Sequence, residues 1–178
     1  MRIIGIIFIL VFMNSGISLA QKFGYIDSRY ILSKMPEYKK AQQELDRLTG
    51  KWQKEIEQMQ VDIDGLEKTY QAEEVLMTEE MQKERLDTIF ARKKALREFQ
   101  KSVFGYEGLY FLKKQELMKP VQDKMFTAVE KVAKQKKLQI VFDKSGDLVM
   151  IYTDPIHDYS DYVLEELGLG DKNDVIQN

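Results

Sequence analysis

The chain has 178 residues, with 27 Lys and Arg against 29 Asp and Glu, a formal net charge of −2 and no cysteine. A slightly acidic chain argues against a nucleic-acid-binding protein, because contacts to phosphates rely on a net basic surface. The absence of cysteine excludes a disulfide-built scaffold and thiolate metal sites, so packing must hold the fold together.

The first twenty residues have the pattern of a secretory signal peptide. Arg2 precedes an apolar run from Ile3 to Met13, and Ser18 and Ala20 supply small residues before a cleavage point. A membrane anchor is the alternative, but the run is shorter than the ~20 apolar residues that a spanning helix needs. We therefore expect residues 1–20 to be a signal peptide, cleaved near Ala20, and the protein to be exported.

A short β-strand is predicted directly after this segment. Phe23-Gly24-Tyr25-Ile26-Asp27 is aromatic and β-branched in the manner of a strand, and a very long charged region follows it almost at once. A small sheet that carries a long helical arm indicates a protein that holds something, whereas nothing at this junction indicates an enzyme.

Strong helix formers dominate the region between Pro36 and Pro120. Its apolar residues recur at alternating spacings of three and four, close to the 3.5-residue repeat of a coiled coil. In the first half they are Tyr38, Ala41, Leu45, Leu48, Trp52, Ile56, Met59, Ile63, Leu66 and Tyr70. Proline at position 36 suits the first turn of a helix.

The apolar repeat lapses after Tyr70 and then resumes. Thr78 is followed by Glu79 and Glu80, which is typical of a helix start, because the hydroxyl accepts a free backbone N–H and the acids face the positive helix end. In the second repeat, apolar residues recur at intervals of seven positions: Ile89, Leu96, Val103, Tyr110 and Leu117. We therefore predict a turn near residues 73–78.

Two arrangements of this region fit the pattern. Pro36–Val75 and Thr78–Leu117 are both forty residues long, about 60 Å each at roughly 1.5 Å per residue. Equal lengths favour an antiparallel coiled-coil hairpin that forms an arm over residues 36–118. One unbroken helix in a parallel dimer is the alternative, and the lapse in the repeat argues against it. At Pro120 we expect a kink or a restart.

The C-terminal region predicts more strands. Leu138–Phe142 and Leu148–Tyr152 are β-branched and aromatic, and the glycine-bearing segment between them indicates a β-hairpin. Asp158 is typical of an N-cap, so a short helix is expected to end before Gly168. Residues 171–178 are expected to form a flexible tail.

The predicted fold class is therefore α+β, with a small β-sheet body and a long helical hairpin arm. The body comprises residues 21–35 and 119–170. Because so small a body is marginal alone and its sheet edges are apolar, we expect an oligomer joined through the strands. The candidate oligomerisation residues are Phe23, Tyr25, Ile26, Leu138, Ile140, Val141, Phe142, Val149 and Ile151. Dimers and trimers both remain open at this point.

The sequence contains little that supports catalysis or metal binding. His157 is the only histidine, so a histidine-rich metal site or a catalytic triad has few groups to draw on. Asp143, Ser145 and Asp147 alternate as in a calcium loop but lack its glycine and its distal glutamate. No nucleotide-binding glycine pattern is present. We expect no enzymatic activity, no cofactor and no metal.

The order of these features resembles the Skp/OmpH family of periplasmic chaperones. The resemblance rests on the signal peptide, "KFGYIDSRYILSKMPEYKKAQQEL", the helical hairpin and "LMKPVQDKMFTAVEKVAKQKKLQIVFDKSGDLVMIYTDP". It implies a periplasmic homotrimer whose strands form one barrel, with three arms around a cavity that holds unfolded outer-membrane β-barrel proteins without ATP. Well-known members are strongly basic whereas this chain is slightly acidic, so contact with lipopolysaccharide or a membrane surface is left open.

A holder of unfolded chains needs an adaptable, partly apolar arm, and thioethers suit that work. The candidate client contacts are Met59, Met77, Met81, Phe90, Phe104, Phe111 and Leu112. The apolar segment 103–112 has three interpretations: packing at the base of the arm, client contact, or a hinge at Gly105 and Gly108. The alternative to a chaperone is a structural or adaptor coiled-coil protein that binds one folded partner at the cell envelope.

Overall fold

A computed structural model describes residues 22–147 and 149–170. The predicted signal peptide at 1–20 and the predicted tail at 171–178 lie outside these described residues. In chain order the elements are β1 (Phe23–Ile26), α1 (Ser28–Lys34), α2 (Pro36–Glu73), a 3₁₀ turn (Glu74–Leu76), α3 (Glu79–Phe104), α4 (Leu109–Lys136), β2 (Ile140–Asp143), a 3₁₀ turn (Pro155–His157) and α5 (Ser160–Glu166).

The described chain forms an antiparallel helical hairpin on a small body, as predicted. Helix α2 has 38 residues, about 57 Å at 1.5 Å per residue, and Pro36 occupies its first turn. The chain then reverses, and Thr78 caps α3 by accepting a hydrogen bond from the backbone N–H of Met81 at 3.3 Å. Both helix starts are those that the local sequence predicts.

The returning arm differs from the prediction of one helix from Thr78 to Leu117. Helix α3 ends at Phe104, and α4 begins only at Leu109. The two glycines fit this break tightly, because a Cβ at Gly105 would lie 2.3 Å from the carbonyl oxygen of Lys101. The break therefore falls at residues 105–108.

Helix α4 runs without interruption through Pro120, so the restart expected there is wrong. Pro120 lacks the N–H that would bond to the carbonyl four residues earlier. It is exposed, which lets water hydrate that carbonyl.

The sheet contains two parallel strands, and the predicted β-hairpin is wrong. Phe23 of β1 pairs with Ile140 and Ile26 with Asp143, whereas residues 149–152 lie outside any strand. Leu138 is not in a strand either, because its N–H donates to the carbonyl of Ala133 and closes the end of α4.

A set of polar contacts fixes the turn that follows β2. The carboxylate of Asp143 accepts hydrogen bonds from both the backbone N–H and the hydroxyl of Ser28, at 3.1 and 2.6 Å, and from Ser145. The turn after β2 is thereby held against the start of α1.

The core lies between the sheet and helices α1, α4 and α5. Ile31, Met35, Met125 and Val163 are fully buried there. Helix α1 was not anticipated from the sequence; its N-cap is Asp27, whose carboxylate accepts the N–H of Tyr30 at 3.0 Å. The terminal helix ends before Gly168 as predicted, but its N-cap is Tyr159 and not the predicted Asp158, whose carboxylate accepts the N–H of Ser160 at 2.9 Å.

Candidate functional site

The arm is held closed by an apolar seam between α2 and α3. Ile63 of α2 and Ile89, Leu96 and Val103 of α3 are buried in this seam. Their positions follow the coiled-coil repeat, which keeps one face of each helix toward its partner. The side chains of the repeat therefore pack between α2 and α3. Any contact with a client protein must come from other side chains.

An aromatic cluster lies at the lower end of the seam. Phe104 meets Trp52 of α2 edge-on, with ring centroids 6.4 Å apart, and lies 6.1 Å from the ring of Tyr110 in α4. These rings lie on both sides of the break at residues 105–108. They connect α3 and α4 with each other and with α2. Phe104 thus has a packing role in addition to a partly exposed face.

The structure divides the predicted client contacts into two groups. Met59 and Met77 are half-buried in or near the seam. The others are exposed on the arm or at its base: Met81, Phe90, Phe104, Phe111 and Leu112. Met77 and Met81 lie four residues apart at the tip of the arm, on either side of the start of α3, whereas Met59 lies within α2.

Sequence reasoning missed several exposed apolar side chains of the arm: Val61, Val75, Leu76, Leu86 and Tyr106. Val75 and Leu76 are 89% and 84% exposed at the tip, in the 3₁₀ turn. The lapse in the apolar repeat near these residues is the signal that pointed to them, because residues off the seam at a turn have no partner helix.

One side of α3 presents a sparse apolar line. Leu86 and Phe90 are four residues apart, and Phe104 follows after fourteen residues, about four turns, so all three share one side of the helix. Lys93 lies between them and its ammonium contacts the carboxylate of Glu67 across the arm at 2.6 Å. The line is therefore apolar but interrupted by charge, which suits contact with an exposed chain without a continuous sticky surface.

A second exposed apolar surface lies beside the sheet. Among the predicted oligomerisation residues, Tyr25 and Ile26 are buried, and Val141 and Phe142 are half-buried. Phe23 and Ile140 are exposed, and Val149 and Ile151 are exposed by 85% and 98%. A cleft of about 430 Å³ opens here, lined by the rings of Phe23, Tyr25, Phe142 and Tyr152 and by Met150 and His157, among others.

The best-defined electrostatic feature is the carboxylate of Asp143 beside this cleft. Burial raises the pKa of Asp143, but the hydrogen bonds from Ser28 and Ser145 outweigh it and hold the pKa below its usual value of 3.8. The ionised carboxylate thus connects β2 to α1 as a structural group.

Neither a metal site nor a membrane span is found in residues 22–147 and 149–170. No group of three or more Asp, Glu or His side chains in this part of the chain is arranged to hold a metal ion. Within the same ranges, every helix is too short or too polar to cross a bilayer.

The chain is similar in sequence to a known protein family and to a protein of another organism. A family model described as outer membrane protein (OmpH-like) matches residues 22–167. The chain is 31% identical over 160 residues to an uncharacterized protein of Aquifex aeolicus (strain VF5), covering 90% of this chain and 94% of that protein.

A crystal structure of a protein from Caulobacter crescentus CB15, proposed to be an outer membrane chaperone (OmpH-like), has the same fold. The two superpose with a TM-score of 0.68 at 15% identity, covering 85% of this chain and 86% of that chain. At this identity the similarity concerns the fold alone. The family match extends over most of the chain and confirms the resemblance seen in the sequence. The chain therefore belongs to the OmpH-like outer membrane protein family.

Proposed function

We propose that this protein is an ATP-independent holdase chaperone of the periplasm, which binds unfolded outer-membrane β-barrel proteins between helical arms and prevents their aggregation. Membership of the OmpH-like family supports a general chaperone role. The observation that carries the proposal is an arm that buries its regular seam yet leaves large apolar side chains exposed between charges. The proposal involves no enzymatic step and no cofactor.

The proposed binding surface is the apolar line of α3 together with the tip. Unfolded β-barrel proteins expose many short apolar segments, and a surface of separated apolar residues can contact them weakly at several points. Phe90 and Val75 lie on this surface and are largely exposed, and Leu86 is partly exposed beside Phe90. The interspersed charges oppose self-association of the arms.

We further propose that three subunits join through the surface beside the sheet, so that the arms enclose a cavity. Phe23, Ile140, Val149 and Ile151 expose apolar area there that an oligomer interface would bury. The number three comes from the family resemblance. Sedimentation of the full chain measures it directly, and Ile151→Asp should shift the mass toward the monomer.

The test of the proposed function is light scattering of a denatured outer-membrane β-barrel protein diluted into buffer with and without this protein. We expect suppressed aggregation at equimolar trimer, with no added nucleotide. If the protein is a stable oligomer that leaves aggregation unchanged, and instead captures one native envelope protein, the adaptor interpretation replaces the chaperone.

A matched pair of variants locates the binding surface. Phe90 on the arm is 64% exposed and Phe126 on the body side of α4 is 59% exposed, so replacing either by glutamate removes a similar apolar area. Phe90→Glu should reduce the suppression of client aggregation severalfold, with unchanged thermal stability. Phe126→Glu should suppress aggregation as well as the parent does. Equal effects of the two variants would contradict the assignment of client binding to the arm.

A further inference from the structure

The charge of the arm is divided along its length. Residues 55–90, the half of the arm that includes the tip, contain eleven Asp and Glu against three Lys and Arg, a formal net charge of −8. Residues 91–119, which lead back to the body, contain three Asp and Glu against eight Lys and Arg, a formal net charge of +5. The nearly neutral chain therefore combines an acidic outer half of the arm with a basic returning segment.

The acids of the outer half have few cationic partners within the chain. Among the residues that the structure describes, one acid of the range 55–90 forms an ion pair, Glu67 with Lys93. On α4, by contrast, Glu116 and Asp123 each pair with a lysine of the same helix. The negative charge near the tip is therefore free to attract a cationic partner.

Two of these acids lie where the helix itself disfavours them. Glu73 is the last residue of α2 and Glu74 is its C-cap, and the last turn of α2 contains no basic residue. The C-terminal end of a helix carries partial negative charge, which favours lysine or arginine there and disfavours glutamate. Residues that depart from a local rule of this kind are expected at functional sites. The placement of both glutamates thus favours a role in binding over a role in folding.

Exposed apolar side chains lie between these two acids and the next two. Residues 73–81 have the sequence Glu-Glu-Val-Leu-Met-Thr-Glu-Glu-Met, and we call this segment the acidic tip. Val75 and Leu76 are almost fully exposed in it, and Met81 is half-exposed. The acidic tip therefore offers apolar area with carboxylates on both sides.

The turn of the acidic tip is held by hydrogen bonds from both of its sides. The carbonyl of Glu74 accepts the N–H of Met77 at 3.1 Å and the side-chain amide of Gln82, which comes from α3, at 3.0 Å. These bonds close the turn against the start of α3. The apolar pair between them is thereby presented to solvent in a fixed position.

We propose that the acidic tip docks extended polypeptide segments in which lysine or arginine is interspersed with apolar residues. The alkyl stems of lysine and arginine can cover Val75 and Leu76 while their charged ends reach the carboxylates on either side. A segment rich in Asp or Glu would instead place like charges against the tip. The inference rests on the proposed function, because it takes these segments to be parts of an unfolded client.

Fluorescence anisotropy of a labelled peptide tests the docking with the full chain. The probe is a short unstructured peptide in which lysine alternates with leucine and valine, and its twin has glutamate in place of each lysine. We expect the lysine peptide to bind at least about tenfold more tightly at low salt. The difference should shrink as salt is added, because exposed charges are screened. Equal binding of the two peptides would overturn the inference.

A matched pair of double variants locates the binding. Glu73→Gln with Glu74→Gln removes two charges from the tip and keeps the side-chain oxygen that accepts the hydroxyl of Tyr70 at 3.0 Å. Glu55→Gln with Glu57→Gln removes two exposed charges from the same helix, away from the tip. The tip variant should bind the lysine peptide about fivefold more weakly, and the control should bind it nearly as the parent does. Equal losses would overturn the inference, because overall charge would then explain the binding.

Aggregation measurements with the same variants separate this inference from the proposed function. If the parent suppresses client aggregation but the tip variant binds the lysine peptide as the parent does, the inference fails and the proposed function stands. If the parent binds the lysine peptide at the tip but suppresses no aggregation, the proposed function fails and the docking surface stands. Sedimentation at low salt tests another occupant. Self-association that the tip variant abolishes would mean that the tip docks on residues 91–119 of a second copy, and would overturn the inference.

Discussion

The ring of Tyr159 lies directly over Gly24, so that a Cβ built on this glycine would come within 2.4 Å of two ring carbons. The contact joins the strand β1 to the residue before α5. In addition, the N–H of Tyr159 donates to the carbonyl of Tyr25 at 2.8 Å. The absent side chain at position 24 therefore sets how closely the last helix approaches the sheet.

Replacing Gly24 by alanine should destabilise the body. The methyl group would force the Tyr159 ring away from β1, and overpacking of this kind typically costs about 1–3 kcal/mol. Urea denaturation measures the loss. Gly65→Ala is the matched control, because a Cβ there meets nothing within 4 Å and the residue lies inside α2. It should raise stability by about 0.5–1 kcal/mol. A neutral Gly24→Ala would show that the ring moves freely.

Glu107 occupies the left-handed region with φ of 52°, inside the break between α3 and α4. This backbone conformation costs a non-glycine residue roughly 1–2 kcal/mol. The side chain is exposed, so Glu107→Gly should raise the melting temperature despite the entropy that glycine adds to the unfolded chain. Glu107→Ala keeps the strain and should leave the melting temperature close to that of the parent. A lower melting temperature for Glu107→Gly would mean that the break is not held in this conformation.

The hinge interpretation of Gly105 and Gly108 makes a different prediction. Alanine at these positions would meet the carbonyl oxygens of Lys101 and Val103, at 2.3 and 2.6 Å, so the observed break cannot accommodate both methyl groups. We expect the double variant to favour a continuous helix and to narrow the distribution of distances between spin labels on different arms. Unchanged distances between the arms would remove the hinge.

Asp143 should make stability depend on pH on the acid side. Its folded pKa is below the unfolded value of about 3.9, so the carboxylate stabilises the fold above that pH and this contribution is lost as the pH falls through the folded pKa. Asp143→Asn should lower the free energy of unfolding by about 1–2 kcal/mol at pH 7.

The difference in the free energy of unfolding between Asp143→Asn and the parent should then shrink toward pH 3 in urea titrations. Asp147→Asn, at an exposed position in the same turn, is the control, and its free energy of unfolding should equal that of the parent. A difference in unfolding free energy that stays constant with pH would indicate that Asp143 stabilises the fold through its shape and not through its charge.

Thr78 should matter for the tip of the arm. Its hydroxyl accepts the backbone N–H of Met81, and losing such an N-cap typically costs about 0.5–2 kcal/mol. Thr78→Ala should therefore accelerate amide exchange at the start of α3. Thr88→Ala is the control: this hydroxyl donates to the carbonyl of Glu84 within the same helix, and its removal should leave exchange at the tip unchanged. Equal exchange in both variants would contradict the capping role.

The arm could be predicted from the sequence because its determinants are local. The apolar repeat from Tyr38 to Tyr70, the proline at position 36 and the cap at Thr78 each act over a few residues, and the helices that they predict are present. The break at 105–108 was harder to predict. Glycines there were visible, but whether they bend the chain depends on the packing of Phe104 against Trp52 from the other helix.

The candidate site was partly predictable for a related reason. An apolar residue off the coiled-coil seam, such as Phe90, can be recognised from spacing alone. Exposure at the tip, at Val75 and Leu76, depends on where the turn ends, and the boundaries of turns are less strongly encoded than the seam.

By itself the sequence determined a long antiparallel helical arm on a small mixed body, since helix periodicity and caps are properties of neighbouring residues. Only the tertiary structure decided that β1 pairs in parallel with β2 and that residues 149–152 form no strand in the chain. Those outcomes rest on contacts such as Ser28 with Asp143 and Tyr25 with Tyr159, which join residues more than a hundred positions apart. Strand runs of similar composition are compatible with several pairings, and the hydrogen bonds between distant residues select one.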